Sequence, residues 1–158
     1  MTSNLEKLLE ATVPAALTNL PREWLGYDGL ASKNNSRWDG ILRGQLQGDN
    51  YLVGGAVILK ISVLIEFGFA DSILRSLTGD SDTAVFEDVE RLDAVAEFSN
   101  MLAGRLSDGL RAKGVELSIL HPNEKKAQGL DLEIHPFLRN LAWTWISEDR
   151  QIELKIGY

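Results

Sequence analysis

The chain contains no cysteine. That absence excludes a disulfide framework, a thiolate metal site and a cysteine nucleophile. Histidine is nearly as scarce. His121 and His135 are the only two, each followed by proline, and their spacing matches no metal-site pattern, so they read as loop or strand-end residues. Positive charge is in deficit, with 16 Lys and Arg against 23 Asp and Glu and a formal net charge of -7. Such a balance opposes binding to a phosphate backbone and offers no basic patch to an anionic membrane, so nucleic acid is not an expected partner. Long apolar runs are missing too. The most apolar stretch, "YLVGGAVIL", meets Lys60 before it could span a bilayer, and "MTSNLEKLLEATVP" has no positive leader followed by an apolar run. No membrane insertion is expected, and the expected location is cytoplasmic. Neither a phosphate-binding glycine loop nor a nucleophile elbow occurs.

What the chain does have is enough apolar material for a core: 158 residues, 44% of them hydrophobic, suit one domain over residues 1–158 without metal or disulfide support. Ser3 and Glu6 form a capping-box pattern, and Leu5, Leu8, Leu9, Ala16, Leu17 and Leu20 recur at helical spacing up to Pro21, with Pro14 expected to kink or interrupt the helix. "REWLGYDGLASKNNSRWDG" is turn-rich and reads as a loop. Trp38, Leu42 and Leu46 alternate with Gly40 and Gly44 as one strand, "GDN" at 48–50 reads as a turn, and Val57, Leu59, Ile61, Val63, Ile65 and Phe67 alternate as a second strand, long and half buried. A short helix follows over 70–78, with Ile73, Leu74 and Leu77 inward and Gly79 as its end. "GDSD" leads into a long helix over 84–112, stopped by Gly114. "VELSIL" and a stretch around "LEIHPF" are strand candidates, and "NLAWTWIS" with "QIELKIGY" reads as a terminal hairpin. The fold class is therefore mixed α/β (α+β): a largely antiparallel sheet with a long helix and further helices packed on one face.

The long helix poses a question. On a helical wheel Leu92, Val95, Ala96, Leu102, Ala103, Leu106 and Leu110 share one sector, the expected core stripe, while Asp93, Glu97, Asn100, Gly104, Ser107 and Arg111 share the opposite one. Polar residues on an outer face usually do no more than meet solvent. Asn and Gly, however, each cost from a fraction of a kcal/mol to about 1 kcal/mol in a helix interior relative to Ala. Gly104 removes the side chain one turn beyond Asn100, which lets another surface approach the carboxamide, and Met101 at the edge of the face can add apolar contact.

The run Asp93-x-x-x-Glu97-x-x-Asn100-Met101-x-Ala103-Gly104 resembles the signature helix of the CheX/CheC family of chemotaxis phosphatases, which dephosphorylate the response regulator CheY. Upstream, "LKISVLIEFGFADSILRSLTGD" is similar to the family's strand followed by a short helix ending in glycine. The chain holds one Glu-x-x-Asn, which is CheX-like; CheC-type members usually carry two. The resemblance implies a CheX-like domain, a homodimer and a phosphorylated CheY-like partner. It implies that Asn100 orients the attacking water and that Glu97 pairs with the regulator's active-site lysine. Asp93, Met101 and Gly104 take supporting or partner-binding roles. It also implies no cofactor or metal of the chain's own, with Mg²⁺ held by the regulator.

The chemistry agrees with those roles. A carboxamide can accept from water and donate to a phosphoryl oxygen without titrating near neutral pH, and phosphoryl transfer depends mainly on positioning and electrostatics. A carboxylate on the phosphoryl group would be repelled, so pairing with a cation beside it is the better use of Glu97.

Other candidates read more plainly. Asp80 and Asp82 do not continue into a calcium loop. Asp93 and Glu97 as a hydrolase's acid and base would lack a desolvated pocket to split their pKa values. Trp143 and Trp145 lie on one side of a strand with Leu141, as core residues do. Two function classes stand: a response-regulator phosphatase, and a non-catalytic adaptor docking on a receiver or kinase through the same face.

Overall fold

The computed structural model describes residues 2–34, 45–79, 85–120, 126–127, 130–132, 135–148 and 150–158. Helix α1 (Thr2–Leu25) runs through both Pro14 and Pro21, so neither proline interrupts or ends it. Leu9, Val13, Ala16, Leu17 and Leu20 are all buried along it. Burial of that many side chains outweighs the roughly 3 kcal/mol that a proline costs inside a helix. Gly26, at φ 75°, then turns the chain out of the helix. The side chain of Ser3 lies outside the described residues, and with it the capping box expected there.

The turn-rich stretch after α1 is not all loop. Strand β1 (Leu30–Asn34) forms within it by pairing with the C-terminal part of the chain. Strand β2 (Gln45–Gly54) and strand β3 (Val57–Glu66) make a ten-residue antiparallel hairpin closed at Gly55 and Ala56. The segment "GDN" at 48–50 is thus mid-strand, and the turn lies six residues later. Trp38, Gly40, Leu42 and Gly44 lie outside the described residues. The burial of β3 also exceeds expectation. As an inner strand between two neighbours it buries Ile61 to Ile65 without a break, including Ser62 and Leu64.

Helix α2 (Phe67–Thr78) buries Phe69, Ala70, Ile73 and Leu74, and Gly79 in the left-handed region ends it. Leu77, expected inward, is 48% exposed, because it stands in the final turn past the last core contact at Leu74. Helix α3 (Asp88–Arg111) starts later than the spacing suggests, at a capping box between Glu87 and Glu90. Gly114, at φ 87°, lies just beyond its end. Within "VELSIL" only strand β4 (Ser118–Ile119) forms. Two short strands, β5 (Lys126–Ala127) and β6 (Leu130–Asp131), pair with each other, while 135–137 of "LEIHPF" are in no strand. Strands β7 (Asn140–Ser147) and β8 (Arg150–Gly157) form the expected terminal hairpin.

The main sheet has the order β1-β7-β8-β3-β2-β4, antiparallel throughout. Alternate residues of its inner strands point to one side: Ile61, Val63 and Ile65, then Ile152, Leu154 and Ile156, then Leu141, Trp143 and Trp145. All three helices bury their apolar stripes against that side in one continuous core. The layering is helices on one face of an antiparallel sheet, as the sequence suggests. No described helix is long and apolar enough to cross a membrane.

Candidate functional site on the long helix

The seat of α3 determines what its outer face can present. Ala94, Val95, Phe98, Ser99, Leu102, Ala103, Leu106 and Ser107 are buried as four pairs recurring every four residues, and Leu110 continues the stripe. This stripe is rotated from the one expected. Leu92 is 48% exposed and Ala96 is also exposed, whereas Ser107 is buried and its hydroxyl donates to the Leu117 carbonyl. Phe98 accounts for the rotation. It stacks on Trp24 of α1 at 5.9 Å between ring centroids and meets Phe69 of α2 edge-on at 6.2 Å, so the helix turns toward its largest apolar side chain.

Helix and strand pack tightly at Gly48 of β2. A β-carbon there would stand 3.0 Å from the Val95 carbonyl oxygen and 3.1 Å from Ser99 Cβ, so any larger residue would make helix or strand give way slightly. Two residues on, Asn50 Nδ2 donates to Ser99 Oγ at 2.8 Å. The polar residues of "GDN" therefore have tertiary uses that override their turn preference.

On the outer side Asp93, Glu97 and Asn100 are all exposed. Glu97 and Asn100 are neighbours across one helical turn. Among the described residues no hydrogen bond or ion pair holds either of them, and Asp93 has none either. The three residues, with Ala96, form one wall of a shallow depression of about 430 Å³ whose other walls are Asp49, Asn50, Ile119 and Leu120. Among the described residues its lining holds three carboxylates, two carboxamides and no cation. The nearest cations along α3 are engaged elsewhere. Arg91 donates to Asp71 at 2.7 Å and to Asp88 at 2.9 Å, and Arg105 pairs with Glu23. The hydrogen bond to Asp71 holds the Arg91 guanidinium above its ordinary pKa.

Gly104 is half-buried, and a β-carbon there would find only Ile119 Cδ1, at an ordinary 3.8 Å. Nothing among the described residues requires glycine at that position. Met101 is half-buried at the edge of the face and packs against the core.

The structure thus brings together Asp93, Glu97, Asn100 and Gly104, and it adds Asp49, Asn50, Ile119 and Leu120, which sequence reasoning missed. The available signal for Asn50 was a polar residue at a helix-facing position of a strand, hidden when "GDN" is read as a turn. His135 rests edge-on against Phe137 at 4.9 Å, and Trp143 and Trp145 are buried in the core. His121, Asp80 and Asp82 lie outside the described residues. Among the described residues no three His, Asp or Glu side chains are placed to hold a metal ion.

Known structures share this architecture. A CheC-like superfamily protein from Shewanella sp. PV-4 superimposes with a TM-score of 0.69 at 18% identity, over 95% of this chain and 96% of that one. The fold is that of the CheX/CheC-like chemotaxis proteins. The chemotaxis protein CheX from Vibrio vulnificus gives a TM-score of 0.66 at 20% identity, over 90% of this chain and 93% of its own. A chain of the CheX–CheY–BeF3–Mg²⁺ complex from Borrelia burgdorferi gives 0.62 at 18% identity, over 97% and 96%. No protein-family model matches the sequence, and no curated protein does. At these identities the likeness to CheX is one of fold, and the case for activity rests on the residues of α3.

Proposed function

We propose that this chain is a protein phosphatase that hydrolyses the aspartyl phosphate of a CheY-like response regulator, using Glu97 and Asn100 of α3. The observation that carries the reading is that these two side chains stand one turn apart on an exposed helix face, unengaged among the described residues, in a CheX-like fold. Side chains kept free of intramolecular partners are available to a second molecule. The CheX–CheY complex supports a CheY-like partner for a chain of this fold.

In the proposed reaction α3 enters the partner's phosphorylation site. The Asn100 carbonyl oxygen accepts a hydrogen bond from water, aligning it opposite the P–O bond to the aspartate, while the amide group donates to a phosphoryl oxygen. Water attacks phosphorus, the P–O(Asp) bond breaks, and the aspartate leaves as a carboxylate with inorganic phosphate released. Glu97 pairs with the lysine of the partner's site, fixing the approach of α3. The acidic lining of the depression favours a cationic surface opposite it. Mg²⁺ comes with the regulator, and this chain contributes no ligand to it. Asp93, Met101 and Gly104 support the contact rather than the chemistry.

The protein is read as a single cytoplasmic CheX-like domain that pairs as a homodimer. Incubation with a phosphorylated receiver from the same source tests the activity: phosphate loss should accelerate in proportion to added protein. Tight binding with an unchanged phosphoryl lifetime would instead make the chain an adaptor.

A further inference from the structure

The hydrogen bond between Asn50 and Ser99 lies directly behind the proposed site. Ser99 is fully buried, adjacent in sequence to Asn100, and its hydroxyl faces β2 while Asn100 faces solvent. Asn50 Nδ2 donates to Ser99 Oγ at 2.8 Å, and the same hydroxyl reaches the Gly48 carbonyl at 3.4 Å. Gly48 also packs tightly on the helix, against Val95 and Ser99. Packing of Phe98 sets the gross rotation of α3, but dispersion contacts are individually weak and tolerate residual shifts of a fraction of an ångström. A hydrogen bond beside a backbone close approach fixes both rotation and height.

Resting on the phosphatase reading, we propose that Asn50 is a positioning residue. Through Ser99 it fixes the turn of α3 that carries Asn100, and so sets where the carboxamide stands relative to a phosphoryl group. The task needs a polar residue at this strand position, which explains an asparagine on the helix-facing side of β2, between Gly48 and the buried Leu52. Asn50 also lines the depression, so its own substitution alters the surface. Ser99 lies wholly beneath that surface and gives the cleaner test.

Ser99→Ala removes the bond without touching the docking face. Misplacing a catalytic group by about 1 Å costs up to roughly 100-fold in rate. The variant should therefore lose about 10- to 100-fold in kcat for receiver dephosphorylation, with KM within about twofold of wild type. Amide hydrogen exchange of the free protein supplies a readout independent of activity: Ser99→Ala should speed exchange at 98–101 while leaving 106–110 unchanged.

Wild-type kcat in Ser99→Ala would overturn the proposal, as would exchange that rises equally along the whole helix. If wild type itself fails to dephosphorylate any receiver, the phosphatase reading falls. The exchange experiment then still decides whether the Asn50–Ser99 link holds this turn, and unchanged exchange at 98–101 would end that claim too.

Discussion

Gly109 of α3 lies so close to Thr12 of α1 that a β-carbon on it would stand 2.5 Å from Thr12 Cγ2, whereas five residues earlier Gly104 has room for one. Two glycines of one helix thus serve different ends. Gly109 lets two helices cross; Gly104 has no such task among the described residues. Gly109→Ala should destabilise the fold by about 1–3 kcal/mol through overpacking. Gly104→Ala should stabilise it by about 0.4–1 kcal/mol, since alanine is the better helix former and meets no clash. If a partner approaches at Gly104, the stabilised variant should nonetheless bind a receiver more weakly. Denaturant unfolding of both variants, with receiver binding to the second, checks the contrast.

The rotated stripe of α3 makes a second contrast. Leu102 is fully buried and Glu97 exposed. Leu102→Ala should cost about 2–5 kcal/mol, and Glu97→Ala should lie within about 0.5 kcal/mol of wild type. Thermal and denaturant unfolding measure both. A large loss in Glu97→Ala would place that carboxylate in the fold rather than at a docking face.

Much of this arrangement is legible in the amino-acid order. Strict alternation marks β3 and the β7–β8 hairpin, Gly79 and Gly114 mark helix ends, and the run from Asp93 to Gly104 marks the site. What escapes is set by tertiary contacts. The wheel of α3 gives Leu92 and Ala96 the same weight as Phe98, but the ring of Phe98, packed on Trp24 and Phe69, sets the rotation and leaves Leu92 and Ala96 outside. Ser107 reads as a surface residue because nothing nearby in sequence shows the Leu117 carbonyl that takes its hydrogen bond. "GDN" has turn chemistry, yet Gly48 serves a close approach and Asn50 finds Ser99, 49 residues away. Strand β1 pairs with β7 more than a hundred residues later, Leu30 opposite Ile146, a distance local pattern does not span. Pro14 and Pro21 mislead for the same reason: the burial of α1 outweighs them.

The homodimer is testable without any partner. The sheet leaves β1 and β4 with one neighbour each among the described strands, and Leu30 on β1 is 76% exposed. Unpaired edges invite a second chain. Light scattering at micromolar concentration should give about twice the 17.5 kDa monomer mass. A strictly monomeric species would remove the dimer and leave the phosphatase reading standing.

Salt should separate the two site residues. Glu97 acts through a charge-assisted contact with a cation, so Glu97→Ala should weaken receiver binding and lower activity. The affinity gap from wild type should narrow as ionic strength rises, because salt screens the interaction that only wild type has. Titrations at low and high salt measure it. A gap that is constant with salt would mean Glu97 contributes shape rather than charge.

The central claim is that Asn100 acts on the transition state rather than in docking. Two quantities test it together for wild type and Asn100→Ala: the lifetime of the aspartyl phosphate on a receiver, and affinity for the same receiver carrying a stable phosphoryl mimic. The account predicts that wild type shortens the lifetime, and that Asn100→Ala loses most of this effect while binding nearly as tightly, since the lost contact is made mainly in the transition state. A wild type that binds tightly yet leaves the lifetime unchanged, with Asn100→Ala indistinguishable from it, would contradict the account.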